Sequence, residues 1–187
     1  MEFCVIKLYN MKEFNVPTRD QVTHENQQIF DHLKSKLGFV PNIYATYAYS
    51  SSALSRYLTF ANGRTSLNNK EKEVINLIVS QVNECKYCLA AHTAIAKMNG
   101  FNDAQIIEFR KGYASFDTKL DTLVKIASEI ISNRGCIQES TLKNFYDAEY
   151  NNENLIDVIV AVGEKTITNF LHKATNIPVD FPTATSI

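Results

Sequence analysis

Apolar side chains along this chain recur every three to four residues rather than alternating, so the pattern predicts helices and no sheet. In "RDQVTHENQQIFDHLKSKLG" the residues Val22, Ile29, Phe30, Leu33 and Leu37 keep helical spacing up to Gly38, a C-terminal signal. "FVPN" then turns the chain into a second helical region, rich in Tyr and Ala, that runs to Gly63. "SLNNKEKEVINLIVSQV" opens with Asn68 and Glu71 at capping-box spacing. Its Val74, Ile75, Leu77, Ile78 and Val82 leave little room for a polar face, which predicts a buried helix. The next helix is expected to start near Asn83 as its cap and to end at Gly100. After "FND" come "AQIIEFRKG", "KLDTLVKIASEIIS" ending at Gly135, "ESTLKNFYDA" and the long "NLIDVIVAVGEKTITNFLHKATNI" before Pro178. The fold class is therefore all-α, with seven or eight helices joined by short turns.

Residues 1–17 read as an arm ending at Pro17, and 18–187 as a single helical domain. The tail "PVDFPTATSI" carries two prolines and no periodicity, so an extended segment lying across the body or a neighbouring subunit is expected. Sliding the sequence by 81 residues sets "VINLIV" (74–79) on "LIDVIV" (155–160), the trace a duplicated helix pair would leave. In that register only the first copy holds Cys85, Cys88 and His92; the second has Thr166, Asn169 and Lys173 there.

Composition narrows the function classes. Of 187 residues 45% are apolar and 21% charged, the balance of an ordinary globular domain. The formal net charge is −1, and no basic run interleaved with aromatics is present, which argues against a nucleic-acid partner. No apolar stretch approaches the roughly 18 to 20 residues of a membrane span. "MEFCVIKLYNMKEF" has no basic region followed by a long apolar one, so a cytoplasmic, membrane-independent protein is expected. In a reducing compartment four cysteines do not form a disulfide scaffold; Cys4 and Cys136 show no partner spacing and read as bland.

The chemistry concentrates in "ECKYCLAAH". On one helix, Cys85, Cys88 and His92 stand at i, i+3 and i+7, within an arc of roughly 60°. Cα atoms three apart on a helix lie about 5 to 6 Å from each other, within the range a disulfide accepts. At a helix start the free amides and the dipole favour thiolate over thiol, and a histidine one turn on can move the proton. Three carboxylates compete to orient that histidine: Glu73, Glu71, which the capping box already explains, and Glu84, beside Cys85. The residues alone leave these three level. A redox-active pair leads over a zinc site, which would find one cysteine pair, one histidine and at most Glu73, and over inert buried thiols. His24 and His32 read as ordinary surface or packing residues, and His172 in "TNFLHKATN" stays outside the site. Neither a metal nor a cofactor is expected.

The motif Glu73, Cys85, Tyr87, Cys88, His92 resembles the alkylhydroperoxidase AhpD-like branch of the carboxymuconolactone decarboxylase family. "GFVPNIYAT" and "TNFLHKATNIPVDFP" extend the likeness to its peroxidase-related subgroup from about residue 15 onward. The resemblance implies an internally duplicated all-helical fold, assembled as trimers or hexamers, and a thiol-dependent hydroperoxidase. Under it Cys88 is the peroxidatic thiol and Cys85 the resolving one, more exposed and the access point for a dithiol reductant, lipoyl-like or carried by an adaptor protein. Glu73 and His92 form the proton relay, which decides among the glutamates. The founding members have histidine where this chain has Tyr87, a phenol that hydrogen-bonds but is a poor base; Tyr87 is thus a supporting residue. The other readings are a non-enzymatic redox sensor or assembly module, and a zinc-dependent hydrolase or lyase.

Overall fold

A computed structural model describes residues 14–187; of the expected arm, residues 1–13 lie outside them. Among the described residues, nine α-helices follow a short 3-10 turn: α1 (His24–Leu37), α2 (Asn42–Tyr47), α3 (Ala53–Ala61), α4 (Asn69–Val82), α5 (Lys86–Met98), α6 (Asp103–Arg110), α7 (Thr118–Ser132), α8 (Glu139–Asp147) and α9 (Asn152–Thr175). No strand occurs among the described residues. The count exceeds the expected seven or eight because the Tyr- and Ala-rich region is two helices. Buried Asn26 donates its amide to the carbonyls of Ala48 and Ser50, at 3.2 and 3.1 Å. Those carbonyls are thereby satisfied outside a helix, and the chain breaks at the serine run 50–52.

α4 is the central helix, packed on α5, α6, α7 and α9. Its capping box forms as spaced: Asn68 accepts from the Glu71 N–H at 3.0 Å and Glu71 accepts from the Asn68 N–H at 2.9 Å. Val74, Ile75, Leu77, Ile78 and Val79 are buried in the main core with Leu123, Val124, Ile126 and Ala127 of α7 and Val158 and Val162 of α9. Each such side chain contributes about 1.5–3 kcal/mol through its burial, so α4 anchors whatever its ends carry.

The end of α4 corrects one expectation. Glu84 lies in the left-handed region at φ 52°. Its N–H donates to the Gln81 carbonyl at 3.0 Å, and the Cys85 N–H to the Ser80 carbonyl at 2.9 Å. This pair of bonds is the Schellman termination, with Asn83 as the C-cap of α4. Asn83 therefore does not cap α5; Cys85 does, its sulfur accepting from the Cys88 N–H at 3.4 Å.

α9 has two unlike faces. Val158, Val162, Lys165, Thr168, Asn169 and His172 are buried, whereas Ile156, Ile159, Val160, Ile167 and Phe170 are 44–59% exposed. Beyond α9 the tail runs extended across the body, one of the two placements expected of it. Asp180 accepts from the Asn42 N–H at 2.7 Å and from the Tyr87 hydroxyl at 2.5 Å. Phe181 meets the rings of Phe39 and Tyr87 edge-on, and Arg110 donates to the Thr185 carbonyl.

Candidate active site

Three elements bring the candidate residues together. α4 presents Glu73 one turn from its capped start, the α4–α5 junction places Cys85, and the first turns of α5 carry Tyr87, Cys88 and His92. The Cys85 and Cys88 sulfurs are 2.8 Å apart. Glu73 Oε2 is 2.8 Å from His92 Nδ1, and the Asn76 amide donates to Glu73 Oε1 at 3.0 Å. Glu71 instead serves its cap and accepts from the Tyr150 hydroxyl, and Glu84 is exposed. Of the three glutamates, only Glu73 meets the histidine.

Cys88, His92 and Glu73 line a cavity of about 670 Å³, within the size range of small-molecule sites. Cys85 does not line it. It is fully buried among Ile43, Tyr87, Cys88 and Ile177, contrary to the expectation that it is the more exposed thiol: the tail, led by Ile177, packs over it. Tyr87 is also 1% exposed. Its hydroxyl donates to Asp180 and accepts from the Ile43 N–H at 3.2 Å, so this phenol fastens the tail.

The electrostatics follow from these contacts. Hydrogen bonding from the Cys88 thiol pulls the Cys85 thiol down against the upward push of burial; His172 and the Cys88 N–H add to it, bringing Cys85 to about 5. The same bond, together with burial, pushes Cys88 up, eased by Lys165 and Asn169. The pair thus holds one proton and one negative charge near neutral pH. Burial pushes the Glu73 carboxyl up, but the charge and hydrogen bond of His92, the Asn76 amide and Lys165 outweigh it and hold Glu73 below the usual range. Burial likewise drives Tyr87 up, reinforced by Asp180, which removes it as a base.

Sequence reasoning missed the inner face of α9. Lys165, Thr168, Asn169 and His172 stand at i, i+3, i+4 and i+7, all buried. Asn169 joins Ser80 and Asn83 of the α4 end by hydrogen bonds of 3.2 and 2.9 Å. His172 packs on the Tyr87 ring, 5.4 Å between centroids. Beside them Tyr57 donates to Glu164 at 2.6 Å and accepts from Thr168 at 2.7 Å. The signal available was that helical spacing of polar residues. Among the described residues, no three His, Cys, Asp or Glu side chains are grouped so as to hold a metal ion.

The all-helical body has the AhpD-like fold, and on it a cysteine pair at a helix start and a Glu–His pair meet at one cavity. Comparison with known proteins agrees. The model of the carboxymuconolactone decarboxylase family matches residues 51–129. A peroxidase-related protein from Silicibacter sp. TM1040 superposes with a TM-score of 0.78 at 25% identity, over 89% of this chain and 90% of that one. A peroxidase-related protein with an alkylhydroperoxidase AhpD core, from Ralstonia eutropha JMP134, gives 0.81 at 18% identity, over 90% and 92%. The debrominase Bmp8 shares the fold at 0.74 and 14% identity, over 92% and 94%. No curated protein sequence matches the chain. No helix among the described residues is long and apolar enough to cross a membrane.

Proposed function

We propose that this protein is a thiol-dependent hydroperoxidase in which Cys88 attacks the peroxide and Cys85 resolves it. The observation that carries the reading is the sulfur pair at 2.8 Å, with Cys88 alone of the two on the cavity wall beside the Glu73–His92 pair. One proton moving from Cys88 to Cys85 across that distance places the thiolate at the cavity. The Cys88 sulfur bonds to the distal oxygen of a hydroperoxide, the O–O bond breaks, and the departing oxygen takes a proton from His92, whose imidazolium Glu73 supports. Cys88 is then a sulfenic acid. It condenses with the Cys85 thiol, releasing water and leaving a disulfide. An external dithiol returns both sulfurs to thiols by exchange and leaves as its own disulfide.

Apolar side chains lining the cavity, among them Phe39, Ile43, Ile95 and Met98, suit an organic hydroperoxide better than hydrogen peroxide, which needs no such surface. A lipoyl-like dithiol, free or on an adaptor protein, is the reductant that fits the family, and a cytoplasmic homo-oligomer completes the proposal. The burial of Cys85 beneath the tail favours a second reading: a redox sensor in which disulfide formation displaces the tail and the protein does not turn over.

One experiment separates the two. Reduced protein receives one equivalent of an alkyl hydroperoxide, and its intact mass and cysteine connectivity are measured with and without a dithiol. The expected result is loss of two hydrogens mapped to Cys85 and Cys88, reversal by the dithiol, and repetition on further peroxide. A single stoichiometric oxidation without cycling favours the sensor, and thiols that stay reduced remove both readings. Cys88→Ser abolishes turnover on this proposal, so retained peroxide consumption in that variant overturns the assignment of the attacking thiol.

A further inference from the structure

One buried charge at the cavity has no task in the chemistry so far. Lys165 is 4% exposed, on the inner face of α9, and lines the same cavity as Cys88, Glu73 and His92. A buried ammonium requires partners for its charge and for its three N–H groups. Its nearest carboxylate, Glu164, is 3.7 Å away, beyond hydrogen-bonding distance. That carboxylate is itself occupied by the Tyr57 hydroxyl at 2.6 Å. No side chain or carbonyl among the described residues accepts a hydrogen bond from Lys165. The cavity therefore holds a desolvated cation with unused donors on the wall that carries the nucleophile.

We propose that Lys165 receives the departing oxygen of the hydroperoxide, its ammonium donating a hydrogen bond to the negative charge that develops as the O–O bond breaks. This rests on the hydroperoxidase reading and extends it. As the Cys88 sulfur bonds to the distal oxygen, the O–O electron pair leaves with the proximal oxygen. His92 supplies the proton that makes the product an alcohol, and Lys165 keeps its own three protons throughout. Lys165 stabilises a charge that exists in the transition state and not in the neutral substrate, which is the kind of interaction that raises rate rather than affinity. It stays charged despite burial because Glu164, Cys88, Tyr44 and Glu73 surround it with negative or potentially negative groups. With the Glu164 carboxylate 3.7 Å away and Glu73 on the same cavity, it is not suited to capture a permanently anionic substrate. A charge that appears only during the reaction and then vanishes by protonation is what it suits.

The test varies the leaving group. Wild type and Lys165→Met are mixed in single turnover with an alkyl hydroperoxide, whose leaving alkoxide is strongly basic, and with a peroxycarboxylic acid, whose leaving carboxylate is not. Formation of the Cys85–Cys88 disulfide is followed in each. Iodoacetamide alkylation of Cys88 measures the nucleophile without a peroxide. Lys165→Met is expected to lose on the order of 10²-fold with the alkyl hydroperoxide, much less with the peracid, and little in alkylation. Equal losses with both oxidants, or an equal loss in alkylation, overturn the proposal and leave Lys165 a structural or thiolate-stabilising residue. Should Lys165→Met not fold, the double variant Glu164→Gln with Lys165→Met removes both charges together, and the same selective loss is required of it. Wild type that reacts with neither oxidant refutes the hydroperoxidase reading itself, an outcome distinct from unselective losses in the variant.

Discussion

Cys85 caps α5 with its own sulfur, accepting from the Cys88 N–H, and the bond to Cys88, with the influence of His172 added, brings its thiol to about 5. A group held below its ordinary value of 9.0 adds stability that is complete above that value and is lost as pH falls through the lower one. The reduced protein should therefore lose thermal stability between about pH 9 and pH 5 relative to Cys85→Ser, which has no such proton to take up. Melting curves of the two across that range give the answer; parallel pH dependences would show that the thiolate contributes nothing to the fold. Glu73 has the same sign in the acid range, being lowered chiefly by His92 against its burial. Glu73→Gln keeps the shape of the side chain but removes the charge that supports an imidazolium. It should slow peroxide-driven disulfide formation by on the order of 10²-fold. An unchanged rate would mean that Glu73 has no part in the relay. The motif spacing was legible at this scale, and so was the capping box that occupies Glu71. The partner of His92 was legible only through the family resemblance, because Glu73, Glu71 and Glu84 differ in direction from the helix rather than in residue type.

Among the elements, α4 and α9 teach opposite lessons. α4 reads correctly from its apolar run, since Val74–Val79 are buried as their periodicity implies. Its end was misplaced because Asn83 suits either a C-terminal or an N-terminal cap, and Glu84 adopts a left-handed conformation usually left to glycine. α9 misleads more deeply. Its apolar stripe invites the assignment of core, yet the polar face carrying Lys165, Asn169 and His172 turns inward to the cysteines. The tail is legible as extended, and its anchor was not, because Tyr87 and Asp180 are 93 residues apart. That anchor predicts a behaviour. Asp180→Ala leaves the Tyr87 hydroxyl and the Asn42 N–H without their acceptor, at a cost of about 1–3 kcal/mol, and loosens the segment over Cys85. Denaturant unfolding should show the loss. Labelling of Cys85 by a bulky disulfide reagent, mapped by peptide mass in a Cys88→Ser background, should accelerate. Unchanged labelling would show that the tail does not guard the thiol.

For the whole molecule, the outer face of α9 is the largest feature the single chain leaves unexplained. Ile156, Ile159, Val160, Ile167 and Phe170 lie about half a turn from the buried polar face and bring no charged side chain among them. Glu164 and Lys165, the charged pair in mid-helix, both point to the cavity instead. At the centre of the stripe is Gly163, where an added Cβ would meet nothing within 4 Å. The spacing about it is symmetric: Ile159 and Ile167 are four residues to either side, and Ile156 and Phe170 seven. A second copy crossing antiparallel at Gly163 would set Ile159 against Ile167 and Ile156 against Phe170 twice over, the self-complementarity a two-fold interface demands. Wild type should therefore sediment as a species at least twice the 21.2 kDa chain, and Ile167→Asp with Phe170→Asp should return it to the chain mass while its helix content stays. The consequence reaches the cysteines, because the same helix carries the exposed apolar stripe on one side and Lys165, Asn169 and His172 on the other. If the pairing holds α9 in place, the monomeric double variant should also form its Cys85–Cys88 disulfide more slowly. Assembly unaltered by these substitutions would place the interface elsewhere and leave the stripe without a partner.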